Sequence, residues 1–204
     1  MTQSVTSKEL VQQAIAYHGH SCPGLAIGIR AVDLATAEFG SVPDVNFITV
    51  VETDRCPVDG IQFLTGCTFG KGNLIHRDYG KTAFTFYHRS DGKALRIISR
   101  PEFFKGRDPV LSTLRKKSAK EGLTPEEDKQ MKDAMAAQIR SIMEAALDSL
   151  FEIKPARGPI PEISRMMANV ICQVCGEETM ETRTGRQNGR MVCIPCLESQ
   201  EESG

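Results

Sequence analysis

Four cysteines near the C-terminus constrain the chain more than any other feature: Cys172-x2-Cys175, then seventeen residues, then Cys193-x2-Cys196. Zn2+ takes four thiolates in a tetrahedron and each C-x-x-C turn presents two sulfurs to one ion, so this spacing closes a structural site with no open coordination position. Iron in a rubredoxin-like site is the main rival. The intervening GEETMETRTGRQNGRMV suits a hairpin with a glycine-containing turn, and CIPCLESQEE suits a knuckle that opens a short helix, a treble-clef arrangement. A unit this small has too little core to fold without its ion, so metal binding is largely its folding energy. The expected division is a core domain at 1–155, a linker at 156–169 and the finger at 170–204. The acidic end ESQEESG is expected to fray.

The rest of the 204 residues suffices for one buried core. Lys+Arg 25 against Asp+Glu 26 gives a net charge of −1, and no basic block is present, which argues against general nucleic-acid binding. The N-terminus has no basic segment followed by an apolar one, and no run approaches the length of a membrane span, so the expectation is a cytoplasmic protein without membrane contact. Seven cysteines is an odd number, four of them in metal-ligand spacing; reduced thiols fit better than a disulfide framework.

Apolar residues at helical spacing predict a helix from Ser7 to Tyr17, capped by Ser7, and a second from Pro23 to about Phe39, stopped by Gly40. The β-branched run at 45–51 reads as a buried strand and leads into a short helix from Pro57 to about Thr65. After the glycine-rich loop 66–73 come three strands, Leu74 to Asp78, Thr82 to Arg89 and Ala94 to Ser99, with Asp91-Gly92 as a hairpin turn. A helix at Pro109 to Ala119 precedes a long one from Pro125, opened by a capping box at Thr124 and Glu127 and extending to about Phe151. Met131, Met135, Ile139, Ile142 and Leu147 to Leu150 give it a core-facing stripe. A short edge strand fits Phe151 to Lys154. Helices segregated around neighbouring strands argue an α+β core.

Chemistry concentrates at two Cys-Pro helix starts. Cys22-Pro23 and Cys56-Pro57 each place a thiol where unpaired backbone N–H groups and the helix dipole favour negative charge, which lowers a thiol pKa. Both are candidate catalytic residues and soft metal ligands. His18 and His20 flank the first, and Cys67 lies in the glycine-rich loop. One histidine with thiolates from separate loops suits an open metal site, so His18, His20, Cys22, Cys56 and Cys67 form the candidate core site, with His20 favoured as the inward histidine. GCTFGKG is one residue short of a phosphate loop and has Gly72 after the lysine, so nucleotide binding is not indicated. Lys71 and Asn73 are candidates for holding an anionic substrate. Asp59, in the first turn of its helix, reads as matching the helix dipole, and His76 and His88 as half-buried strand residues.

HGHSCPGLAIGIRA, ETDRCPVDGIQFLTGCTFGKGNL and the terminal finger together resemble the FmdE family, named for its link to formylmethanofuran dehydrogenase. The resemblance implies a mixed sheet of about five strands flanked by helices, an auxiliary zinc finger and a role in anaerobic metabolism. It places the family's His-x-His-x-Cys-Pro-Gly on His18, His20, Cys22, Pro23 and Gly24. The second motif falls on Cys56, Asp59, Gln62, Thr65, Gly66, Cys67, Thr68, Gly70, Lys71, Gly72 and Asn73.

The function expected from this is a metal-binding protein serving a molybdenum or tungsten oxidoreductase as accessory subunit or maturation factor. It would carry structural zinc in the finger and a second transition metal, Zn2+ among the candidates, in the core. A stand-alone metal- or thiolate-dependent enzyme on a small substrate is the alternative, and a binding module that uses the finger is a third. The apolar long helix is compatible with a homodimer.

Overall fold

The computed structural model describes residues 6–40, 46–104, 109–163 and 168–201. The expected strand start at Val45, part of the 156–169 segment and the end of the acidic tail lie outside these. The chain divides into two compact units, Met1–Ile163 and Ser164–Gly204.

In the first unit, helix α1 (Lys8–His18) is capped by Ser7, whose hydroxyl accepts the Leu10 N–H at 3.2 Å, and ends at Gly19, whose φ of 88° only glycine adopts without strain. Helix α2 (Pro23–Phe39) follows, with proline at its first position. Strand β1 (Phe47–Val51), helix α3 (Pro57–Thr65) and strand β2 (Leu74–His76) come next, then strands β3 (Ala83–His88) and β4 (Ala94–Ser99). The Asp91 carboxylate holds the turn between the last two by accepting the Lys93 N–H at 3.1 Å. Helices α4 (Pro101–Phe104), α5 (Pro109–Ser118), α6 (Pro125–Glu144) and α7 (Leu147–Leu150) then lead to strand β5 (Phe151–Lys154).

The five strands form one mixed sheet in the order β2-β1-β3-β4-β5, parallel only between β1 and β2. This is an α+β fold. Alternation along the strands sends Phe47, Val51, Phe84, Phe86, Leu95 and Ile97 to one face, where they pack with Leu25, Ile29, Val32, Ile61, Leu64 and Ile142 of the helices. Ile48, Val50 and Tyr87 point to the other face and meet Ala156, Ile160 and Ile163. Part of the expected linker is thus a strap across the sheet: three apolar side chains among its prolines find an uncovered sheet face.

The long helix is shorter than its apolar pattern predicts. Ala145 and Ala146 are extended (ψ 150° and 139°), and the Ala145 carbonyl accepts a 2.7 Å hydrogen bond from the buried guanidinium of Arg30 on α2. That carbonyl leaves the helix ladder for a tertiary partner, and Leu147 and Leu150 then turn into the core from a separate helical turn. Of the expected stripe on α6, Ile142 is buried, whereas Met131, Met135 and Ile139 are half-buried. The strands at 74 and 82 are also shorter than expected, ending at His76 and His88.

In the second unit, β6 (Asn169–Ile171) pairs with β7 (Glu178–Met180) and β8 (Thr184–Gln187) with β9 (Arg190–Cys193). Asn188 and Gly189, at φ 50° and 78°, make the left-handed turn that an Asn-Gly hairpin requires. Helix α8 (Ile194–Glu201) starts between the last two cysteines. Among the described residues no helix is long and apolar enough to cross a membrane.

Candidate metal centre

Two cysteine-containing groups have the donor spacing that a metal ion needs. In the finger the Sγ atoms of Cys172, Cys175, Cys193 and Cys196 lie within 4.8 Å of one another. Cys175 and Cys193 are 3.8 Å apart, and two sulfurs bound to one tetrahedral zinc are about 3.8 Å apart. The N–H groups of Cys193, Cys175 and Val174 draw the Cys172 thiol down to about 6, a thiolate prepared by the backbone. Cys196 is pushed up to about 12 by its hydrogen bond to Cys193, by burial and by the other two sulfurs. Four thiols crowded in this way conflict until a divalent cation neutralises them, so the donor set fits zinc.

The first unit holds the second group. The left-handed Gly19 turns the chain between α1 and α2, so that His18, on the last turn of one helix, faces Cys22 at the cap of the next. Ligand atoms of His18, His20 and Cys22 lie within 4.8 Å of one another, with His18 Nε2 3.6 Å from Cys22 Sγ. A nitrogen and a sulfur on one tetrahedral ion are about 3.5 Å apart. Cys22 Sγ also accepts the Leu25 N–H at 3.3 Å, serving as the side-chain cap of α2. Two imidazoles and a thiolate are a borderline-soft set that suits a first-row transition metal and leaves a position open.

The remaining candidates are placed differently. Cys56 caps α3 in an αR conformation without a side-chain hydrogen bond to the helix. Burial, and then the neighbouring Cys22 sulfur, push its thiol up rather than down as the helix dipole alone predicts. It adjoins Cys22 but does not belong to the three-residue group. Cys67 is fully buried under the sheet, where its sulfur accepts from the Thr49 hydroxyl at 3.4 Å and donates to the Phe47 carbonyl at 3.5 Å. Lys71 Nζ donates to the Gly66 carbonyl at 2.9 Å at the end of α3. The Asn73 side chain accepts the Thr68 N–H and donates to the Phe47 carbonyl. Both therefore hold the glycine-rich loop in shape.

Asp59 carries a role beyond the dipole match. Its carboxylate sits 2.6 Å from His18 Nδ1, which turns His18 Nε2 toward Cys22. His18, rather than the favoured His20, is thus the histidine whose ring is fixed from behind. A pairing forty-one residues apart has no local signature in sequence. Gln62 and Tyr17 add a second side-chain hydrogen bond between α3 and α1.

Glycines make this convergence possible. A Cβ on Gly28 would meet the Pro57 carbonyl oxygen at 2.2 Å, and one on Gly24 would meet Cys56 Cβ at 2.8 Å. The two helices touch almost backbone to backbone, bringing the Cys22 and Cys56 helix starts together. A cavity of 440 Å3 opens at Ser21, between His20 and Cys22, and is walled by Lys132, Met135, Ile139 and Arg140 of α6.

An α+β core with an open His2Cys donor set, in one chain with a closed four-cysteine finger, defines a metal-binding protein of two units. Residues 17–152 match the family described as FmdE, Molybdenum formylmethanofuran dehydrogenase operon, and residues 169–202 match the prokaryotic dksA/traR C4-type zinc finger. The chain belongs to the FmdE family and carries a C4 finger. It is 29% identical over 205 residues to a probable S-adenosyl-L-methionine-binding protein of Archaeoglobus fulgidus, covering 93% of this chain and 53% of that protein. The chain thus spans about half the length of this curated relative. Its fold is that of an FmdE-like protein of tungsten formylmethanofuran dehydrogenase from Syntrophus aciditrophicus, with a TM-score of 0.63 and 21% identity over 98% of this chain and 97% of that one.

Proposed function

We propose that the chain holds a transition metal at His18, His20 and Cys22 and serves a molybdenum or tungsten oxidoreductase of the formylmethanofuran dehydrogenase type, as accessory subunit or maturation factor. The observation that carries the metal reading is the convergence of three donors on two helix ends, with Asp59 behind His18. The family's description supports the association with the oxidoreductase. A bound ion there would supply Lewis acidity at an open position. The chain's own residues do the rest: Asp59 fixes the His18 tautomer and ring plane, the Leu25 N–H stabilises the Cys22 thiolate, and burial keeps Cys56 protonated beside it as a reserve donor.

A second reading, a stand-alone enzyme on a small anionic substrate, has its own support in the 440 Å3 cavity at Ser21 with Arg140 and Lys132 in its wall. Lys132 is paired with Asp128 at 2.5 Å, which leaves Arg140 as the stronger candidate for the anion.

Elemental analysis after anaerobic purification tests the metal centre. Wild type is expected to carry about one equivalent beyond the finger's, and Cys22→Ser to lose only that one, while Cys172→Ser loses the finger's. Wild type with the finger's metal alone, unaltered by Cys22→Ser, overturns the reading. Pull-down from a native anaerobic extract separates the two roles: a molybdenum or tungsten enzyme recovered with the chain supports the accessory role, and its absence favours the free enzyme.

A further inference from the structure

The face of the sheet turned away from the helices carries a second site, independent of the metal centre. Strand alternation places Val50, Thr85, Tyr87 and Arg96 on that face, with Glu52 just past the end of β1. The strap at 156–163 covers Ile48 and Val50 but leaves a pocket of 610 Å3 beside them. Its floor is a buried ion pair: Arg96 Nε donates to Glu52 Oε1 at 2.8 Å and Nη2 to Oε2 at 2.9 Å. The guanidinium holds the Glu52 carboxyl below the ordinary range, so the floor is a matched pair with no net charge.

The rim is different. Arg77, Lys81 and Arg157 line the mouth from two separate segments, all three exposed, and none makes an ion pair among the described residues. Exposed cations are ordinarily only solvated. Here they surround an enclosed volume, and the segment that carries two of them is fixed before any ligand arrives. The Arg77 N–H donates to the Val51 carbonyl at 2.9 Å and the Lys81 N–H to the Glu52 carbonyl at 2.8 Å. Arg157 is held through its carbonyl, which accepts the Tyr87 hydroxyl at 3.4 Å. Tyr79, Tyr87, Pro159 and Pro161 supply flat apolar walls between these charges. Preorganised cations around such walls favour a ligand with a planar body and several negative charges.

We propose that this pocket binds a small polyanion built on a flat ring, the ring against the tyrosines and prolines and the phosphates or carboxylates on Arg77, Lys81 and Arg157. Two chemical sources carry those features, a nucleoside phosphate and an aromatic polycarboxylate.

Isothermal titration of the full zinc-loaded chain at low salt decides between them, with ADP, benzene-1,3,5-tricarboxylate and uncharged adenosine as probes. At least one of the two anions is expected to bind, more weakly as salt rises, and adenosine at least about tenfold more weakly than ADP if the phosphate source is right. Preference for ADP identifies a phosphorylated ligand, and preference for the tricarboxylate a polycarboxylate. Lys81→Ala and Arg157→Ala are each expected to weaken the bound anion about threefold to tenfold, and the triple variant with Arg77→Ala to abolish measurable binding. These side chains are exposed, so the variants are expected to melt with wild type. Binding of neither anion, or binding unchanged in a folded triple variant, overturns the proposal.

Discussion

Asp59 shows how much one carboxylate decides at the residue scale. It contacts no other donor of the cluster, yet it sets which His18 nitrogen faces Cys22. Asp59→Asn preserves shape and removes the charge, and is expected to weaken metal binding at the core centre about 10- to 100-fold while the finger keeps its zinc. Competition with a chelator of known affinity measures this; an unchanged core affinity would show that His18 needs no orientation from behind. Cys22, His18 and His20 are legible in sequence because a proline after cysteine and a glycine after histidine mark helix boundaries locally. Cys67 carries the same weight there, since a thiol in a glycine-rich loop looks alike whether it faces a cluster or a core. Only the buried contacts with Thr49 and Phe47 separate the two cases.

At the scale of elements, the centre depends on how closely α2 and α3 approach. Replacing a helix-interior glycine by alanine normally gains up to about 1 kcal/mol of helix propensity. At Gly28 the new methyl group would collide with a backbone carbonyl, which cannot rotate away as a side chain can. Gly28→Ala is therefore expected to destabilise the core unit by about 1–3 kcal/mol and to lower metal occupancy, measured by denaturant unfolding and elemental analysis. Stability equal to or above wild type would contradict this packing. The element types are legible in sequence from periodicity and caps. The division of the long helix at Ala145 is not, because its cause is Arg30, more than a hundred residues away. The strap at 156–163 is hidden for a similar reason: three prolines and a glycine look like a linker until an open sheet face takes up the apolar residues between them.

The whole molecule is two units with different sources of stability. The first has a continuous apolar core between helices and sheet, whereas the second buries little more than Val192 and three of its own cysteines with Leu197. Its fold must come from its ion, for which structural zinc contributes on the order of 10–16 kcal/mol in comparable small units. A strong chelator is accordingly expected to abolish the hairpin signals of residues 178–193 while most of the helical circular dichroism persists. Calorimetry is expected to resolve two transitions with zinc and to lose the finger's without it. A single cooperative loss of both units on chelation would refute this division.

The order of the sheet carries a further consequence. Strand β4 is complete at Ser99, but its outer neighbour β5 is encoded at Phe151–Lys154, after four helices. During synthesis the growing chain must therefore keep an unclosed, apolar sheet edge until that strand leaves the ribosome, an interval in which edge-to-edge mispairing competes with folding. Truncation before Phe151 would freeze the chain in that state, so a shortened core for laboratory use has to run past Lys154.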